Sequence, residues 1–291
     1  MFFSLSLYGK IENILLYLRK YALFTQLTVF QRMNKLSRRE MLKAGGALAA
    51  TLAVTGSQAF AADATASERV KSGKRKIMII GAHPDDPETG CGGTMIRLAK
   101  AGHEVISVYF TRGERGIPGT GLDESARIRT TEAIEACRLL GVRPVFMTQI
   151  DGDSEITQER YNEMHKLIED YKPDIVFAHW PIDSHRDHAN CSNLVFDAWI
   201  KMDKPFELYY FEVCSGIQTM QFYPTDFVDI TSVVELKRKA CFCHVSQGPE
   251  RWYEKEHGRM EEFRGMQSDV EYAEAFVKFQ KSSCDLQKLL D

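Results

Sequence analysis

Residues 76–94 read Lys76-Ile77-Met78-Ile79-Ile80-Gly81-Ala82-His83-Pro84-Asp85-Asp86-Pro87-Glu88-Thr89-Gly90-Cys91-Gly92-Gly93-Thr94. Residues 76–82 form a short continuous apolar run, the pattern of a strand buried on both faces. The turn that follows carries one imidazole and three carboxylates within six residues, on a loop stiffened by two prolines. So much charge at a buried strand end is costly unless a cation compensates it, and a divalent metal does so most simply. The glycines at 90, 92 and 93 suit a tight turn into a helix whose first N–H groups face the same crevice. A dinucleotide fingerprint is rejected: Gly90-Cys91-Gly92-Gly93-Thr94-Met95 lacks the last glycine, and three carboxylates would repel a pyrophosphate.

Outward from this stretch, apolar runs alternate with helical patterns. Further strands are expected at residues 104–111, 144–150, 174–180, 206–213 and 226–230, and helices at 93–101, 124–140, 156–171 and 188–201. Gly102 and Gly141 stand where helix C-terminal glycines belong. After Ser232 the pattern turns helical, over 232–244, 249–265 and 270–279. The expectation is one α/β domain over residues 75–291: a Rossmann-like, mostly parallel sheet with helices on both faces and a helical C-terminal region. In such sheets ligands bind beyond the carboxyl ends of the strands. A second cluster, His179-Trp180-Pro181-Ile182-Asp183-Ser184-His185-Arg186-Asp187-His188, follows its own strand and can face the first. Together the two supply a mixed nitrogen and oxygen donor set, although His-x-x-His alone is commonly plain polarity or a helix cap.

The 291-residue chain is 44% hydrophobic and 26% charged, which excludes disordered and collagen-like classes. Residues 1–61 hold eight Lys/Arg and two acids; of the 37 basic and 40 acidic residues this leaves 29 and 38, a net −9 over residues 62–291. That acidity argues against nucleic acid as a partner. The seven cysteines show no framework spacing, and Cys241-Phe-Cys243 is CxC, so most are expected to be buried apolar residues. Ser37-Arg38-Arg39-Glu40-Met41-Leu42-Lys43 resembles the twin-arginine export motif. A mildly apolar run follows, too short for a permanent membrane span, and Ala59-Phe60-Ala61 has the small-x-small pattern of a cleavage site. The expected partner is therefore the twin-arginine export machinery, with cleavage near Ala61, periplasmic localisation and a short linker at 62–74. Met33 lies four residues before Ser37 and is the expected start, making residues 1–32 an upstream extension.

The motifs Ala82-His83-Pro84-Asp85-Asp86-Pro87-Glu88 with Gly92-Gly93-Thr94, and His185-Arg186-Asp187-His188, resemble the two signatures of the PIG-L/LmbE-like deacetylases. Thr111-Arg112-Gly113-Glu114, the helix ending Leu140-Gly141-Val142, Asp151-Gly152, His244-x-Ser246-Gln247 and Tyr272-Ala273-Glu274-Ala275-Phe276 extend the likeness over about residues 75–280. Arg186 stands where many members have Pro. The resemblance implies a Rossmann-like, zinc-dependent enzyme that removes acetyl groups from N-acetylglucosaminyl compounds. It assigns His83, Asp86 and His188 as metal ligands, with Zn2+ the expected ion and Fe2+, Mn2+ or Co2+ compatible with the donors. Asp85 becomes the general base, ionised beside the cation, its alternative being a partner that orients a ligand imidazole. His185 stabilises the oxyanion or protonates the leaving amine, its alternative being a fourth ligand. Glu88 and Asp187 orient histidine side chains. Arg112, Arg129 and Asp151 either contact sugar hydroxyls or form structural ion pairs. His179 and His244 are either ligands or structural imidazoles, and His103, His165 and His257 are expected at the surface. Trp180, Trp252 and Tyr253 either stack on sugar or fill the core. The substrate is an N-acetyl sugar; another amide, or a periplasmic sugar binder without chemistry, are the competing readings.

Overall fold

A computed structural model describes residues 73–203, 205–279 and 287–290. The chain divides into two units, Met1–Arg69 and Val70–Asp291, and the described residues lie in the second. The export motif, the cleavage site near Ala61, the upstream extension and most of the 62–74 linker lie outside the described residues.

Among the described residues a seven-stranded sheet runs in the order β3-β2-β1-β4-β5-β7-β6. Its central strand β1 (Lys76–Gly81) pairs in parallel with β2 (Glu104–Thr111) on one side and β4 (Ile175–His179) on the other. β3 (Arg143–Gln149) joins β2, and β5 (Glu207–Phe211) joins β4, both in parallel. Alternation explains the apolar run of β1. Ile77 and Ile79 enter one core with Met95, Phe177 and Phe211, while Met78 and Ile80 enter the other with Val108, Val176 and Leu194. Each fully buried aliphatic side chain stabilises by about 1.5–3 kcal/mol, so no face of β1 tolerates polar residues.

One face is covered by α1 (Asp86–Lys100), α2 (Leu122–Leu140) and α5 (Val234–Cys241), which supply Met95, Ala136, Leu140 and Ala240 to the first core. α3 (Gln158–Tyr171) and α4 (Arg186–Lys201) supply Met164, Leu194 and Trp199 to the second. The strand order reverses between β1 and β4, and both charged clusters leave the sheet there, at the position where open α/β sheets bind ligands.

Three expectations are corrected. The helix expected at 93–101 begins at Asp86, so Gly90, Gly92 and Gly93 lie inside α1 and form no turn. A Cβ at Gly93 would come within 2.4 Å of Ile230 Cγ2, so close packing against the sheet overrides the poor helix propensity of glycine. Residues 249–265 break into short 3-10 turns before α6 (His257–Ser268), with Gly248 left-handed at φ 62°. Residues 270–279 contain a strand, β7 (Ala273–Lys278), antiparallel between β5 and β6 (Asp226–Asp229). The Ala-Glu-Ala tract favours a helix locally, but pairing with two strands and burial of Phe276 outweigh that preference. The side chain of Glu274 then accepts the backbone N–H groups of Gly93 and Thr94, each at 2.8 Å, tying β7 to α1. A last short helix, α7 (Gln287–Leu290), ends the described chain.

Candidate active site

The loop after β1 turns through Asp85, a non-glycine residue at φ 122°, ψ −29°, and runs directly into α1. Such a backbone costs of order 1–3 kcal/mol and persists where its surroundings over-determine it. Here Arg129 of α2 holds the residue: its Nη2 lies 2.9 Å from Asp85 Oδ2 and also donates to the Pro84 carbonyl. Arg129 is itself buried beneath Gly113, where a Cβ would stand 2.5 Å from its Cδ and where φ is 71°.

The next residue, Asp86, enters the sheet crevice. Its Oδ2 accepts the His83 N–H at 2.7 Å and lies 3.2 Å from His83 Nδ1, 3.3 Å from His179 Nε2 and 3.4 Å from His188 Nε2. Burial works against its ionisation, but His188 and then His179 outweigh that and hold the carboxyl well below the usual range. The other nitrogen of His83 faces Asp187 Oδ2 at 3.1 Å and Asp151 Oδ1 at 3.2 Å. Burial lowers the basicity of His83, yet Asp151, Asp187 and Asp86 together raise it well above the ordinary histidine value. His188 is likewise pushed up to about 9, against burial, by Asp86 and Asp183.

These shifts describe a donor set with surplus negative charge, balanced by protons on imidazoles that would otherwise ligate. A divalent cation replaces such protons, so the residues fit one. His83, Asp86 and His188, the expected ligands, come together around Asp86 Oδ2. His83, His185 and His188 also form a group whose donor atoms lie within 4.8 Å of one another. His179 belongs behind them. Its Nε2 accepts the Ala82 N–H at 2.9 Å, its ring stacks on His188 at 4.0 Å, and burial pushes its pKa down to about 4.

Asp187 faces His83 as expected, anchored by the Gly152 N–H at 2.7 Å and the Ser154 hydroxyl at 2.6 Å. His185 caps α4: its Nδ1 accepts the Asp187 N–H at 3.3 Å, which assigns the neutral ring's proton to Nε2. Burial, followed by the charges of His83 and His188, lowers its pKa. Burial raises the Asp85 carboxyl and Arg129 only partly offsets it. The expected acidification of Asp85 thus depends on the cation.

The cavity over this cluster has a volume of about 580 Å³, within the range of small-molecule sites. Asp151 and Arg129 line it, but Arg112 does not: half exposed, it pairs with Glu114 at 3.2 Å. Arg115 lines the cavity instead, its Nη1 donating to the Asp151 carbonyl at 2.9 Å. Glu88 faces a histidine, though not a ligand: it is fully buried, accepts from Tyr109 and lies 3.7 Å from His244 Nε2. His257, expected at the surface, is buried and lines the cavity beside Trp252, because the 3-10 turns fold this segment inward. Trp180 is outside the cavity, and Tyr253 is buried with its hydroxyl on Glu261 at 2.7 Å. Asp183 is a site residue that sequence reasoning misses. Its Oδ1 lies 3.2 Å from His188 Nδ1, and it accepts from the Thr219 hydroxyl at 2.8 Å and the His185 N–H at 2.8 Å. Its place two residues before a helix-capping histidine was the available signal.

The family profile described as PIG-L: GlcNAc-PI de-N-acetylase matches residues 78–199. A diacetylchitobiose deacetylase of Thermococcus kodakarensis is 31% identical over 196 residues, covering 62% of this chain and 73% of that protein. The structure of an N,N'-diacetylchitobiose deacetylase from Pyrococcus horikoshii superimposes with a TM-score of 0.62 at 30% identity, covering 70% of this chain and 84% of that one. A 4-carboxy-2-hydroxymuconate hydratase from Pseudomonas putida shares the fold alone, with a TM-score of 0.65 at 22% identity over 72% of this chain and 99% of the other.

Proposed function

This chain belongs to the PIG-L family of de-N-acetylases, and on that premise we propose that it hydrolyses the acetamide of an N-acetylglucosamine-type sugar, using a divalent cation. The observation that carries the reading is Asp86 Oδ2 within 3.4 Å of nitrogens of both His83 and His188, with Asp85 alongside on Arg129. His83, Asp86 and His188 would hold the cation, with zinc the best match to two imidazoles and a carboxylate; Fe2+, Mn2+ and Co2+ suit the same donors. The cation supplies polarisation of the acetyl carbonyl and acidification of a water molecule.

Asp85 accepts the proton of the attacking water. Ionised beside the cation, its carboxylate is aimed by Arg129. His185 donates its Nε2 proton toward the carbonyl oxygen as negative charge develops there. The water oxygen bonds to the carbonyl carbon, the C–N bond breaks, and the proton taken by Asp85 goes to the departing nitrogen, giving acetate and a free amine. Asp187 and Asp183 orient His83 and His188. Asp151, Arg115 and Trp252 offer two hydrogen-bonding groups and an aromatic face to the sugar. Export through the twin-arginine route, suggested by Arg38-Arg39 and Ala59-Phe60-Ala61, puts the reaction in the periplasm.

The test is amine release from N-acetylglucosamine oligosaccharides after chelation and metal restoration, with Asp85→Asn alongside. Metal-dependent release that collapses in Asp85→Asn while metal still binds supports the reading. Tight metal binding without release from any such substrate moves it to another amide.

A further inference from the structure

Part of the cavity wall has no task in this chemistry. Glu256 and His257 line it, and Cys214, on the turn after β5, lies against them, only 4% exposed. Cys214 Sγ is 3.4 Å from His257 Nε2, 3.6 Å from His257 Nδ1 and 3.9 Å from Glu256 Oε2. His257 is nine-tenths buried, and neither of its nitrogens has another hydrogen-bond partner among the described residues. A thiol can donate to Glu256 and accept from the imidazole, so weak hydrogen bonds satisfy the trio without an ion, but sulfur, nitrogen and carboxylate oxygen are also the donor set of a thiophilic cation.

The spacing matches another chemistry. Tetrahedral zinc with a thiolate at about 2.3 Å and an imidazole at about 2.0–2.1 Å separates sulfur from nitrogen by roughly 3.6 Å, and sulfur from a carboxylate oxygen by about the same. The Sγ–Nε2 and Sγ–Oε2 separations lie within a few tenths of an ångström of these, and because Sγ is nearly as close to Nδ1, binding requires the imidazole to turn until one nitrogen points at the ion. We propose that Cys214, His257 and Glu256 form a second divalent-cation site, selective for thiophilic ions such as Zn2+ and Cd2+, on the wall of the catalytic cavity.

Burial, followed by the charge of Lys237, pushes the His257 pKa down to about 3, so the imidazole is in the neutral form that ligates. The N-terminus of α6 disfavours a cation there. Burial, followed by the Glu256 charge, pushes the Cys214 thiol up to about 12, so the ion binds by displacing its proton; the resulting thiolate and the carboxylate then bring two negative charges, and Lys237 is already paired with Glu261 at 2.8 Å and Glu274 at 2.7 Å. Because Glu256 and His257 line the substrate cavity, occupancy there obstructs it, and excess zinc inhibits. That consequence rests on the hydrolytic reading; binding itself does not.

Cadmium titration of the full chain after chelation provides the test. Two equivalents are expected, one of them with a thiolate-to-cadmium charge-transfer band. Cys214→Ser keeps the other equivalent, abolishes the band and weakens its own site by more than the ~10–100-fold typical of losing an outer-sphere partner. Glu256→Gln, which leaves every thiol in place, weakens the same equivalent and guards against misfolding of the serine variant. Asp86→Asn does the reverse, losing the catalytic equivalent and keeping the band. Amine release by Cys214→Ser resists excess zinc that inhibits the parent protein. A single equivalent in the parent, or a band that survives Cys214→Ser, overturns the proposal. Two equivalents without amine release keep this site and overturn the deacetylase reading instead.

Discussion

Arg129→Met removes the guanidinium that lies 2.9 Å from Asp85 Oδ2 and donates to the Pro84 carbonyl, while keeping a side chain of similar length in a buried slot. Two unit charges at that distance attract by about 6 kcal/mol at an effective dielectric of ~20. Desolvation has already consumed part of this, and removing one partner of a buried pair costs about 3–5 kcal/mol. At roughly 2–4 °C per kcal/mol for a domain of this size, the melting temperature should fall by about 6–20 °C. The effect on catalysis has a definite sign. Burial raises the Asp85 carboxyl and Arg129 opposes it, so the variant's carboxyl rises further. A base that must be ionised is then protonated at higher pH, moving the acid limb of the kcat/KM profile upward. With the base misdirected as well, kcat/KM should drop about 10²–10⁴-fold. Metal content should be unchanged, because Arg129 touches none of His83, Asp86 and His188. Thermal melts, metal analysis and pH–rate profiles at saturating metal provide the readouts, with Arg129→Lys recovering part of the loss. Wild-type kcat/KM with an unshifted acid limb in Arg129→Met would refute the claim that this arginine holds the base.

Asp183→Ala removes the acceptor beside His188 Nδ1 and should weaken metal affinity about 10–100-fold, measured by chelator competition. Arg115→Ala should raise KM for an oligosaccharide, whereas Arg112→Ala, on an arginine outside the cavity, should leave it unchanged in steady-state assays. Gly93→Ala sets about 1 kcal/mol of helix propensity against a contact of 2.4 Å with Ile230 Cγ2. Overpacking of about 1–3 kcal/mol wins, so denaturant melts should show lower stability.

What could be read from the chain was whatever its chemistry packs into a few consecutive residues. The apolar run of β1 and its neighbours announces strands buried on both faces, and strand–helix alternation implies a parallel sheet with its ligand crevice at the strand ends. His83, Asp85 and Asp86 share one turn, and His185, Asp187 and His188 share another, so their types and spacing were legible before any coordinates. Tertiary structure decided matters settled by partners far apart in sequence. Asp183 becomes the brace of His188 because Thr219, 36 residues on, donates to it. Glu274 clamps α1 from about 180 residues away, and only that packing places three glycines inside a helix. Two arginines three residues apart in one loop look alike, yet the fold turns Arg115 into the cavity and leaves Arg112 with Glu114. Residues 270–279 carry helical propensities worth tenths of a kcal/mol each, and pairing with two strands outweighs them. Cys214 and His257 meet across 43 residues by the same long-range folding. Local periodicity encodes which faces are buried; which distant groups then touch is set by how the packed elements close on one another.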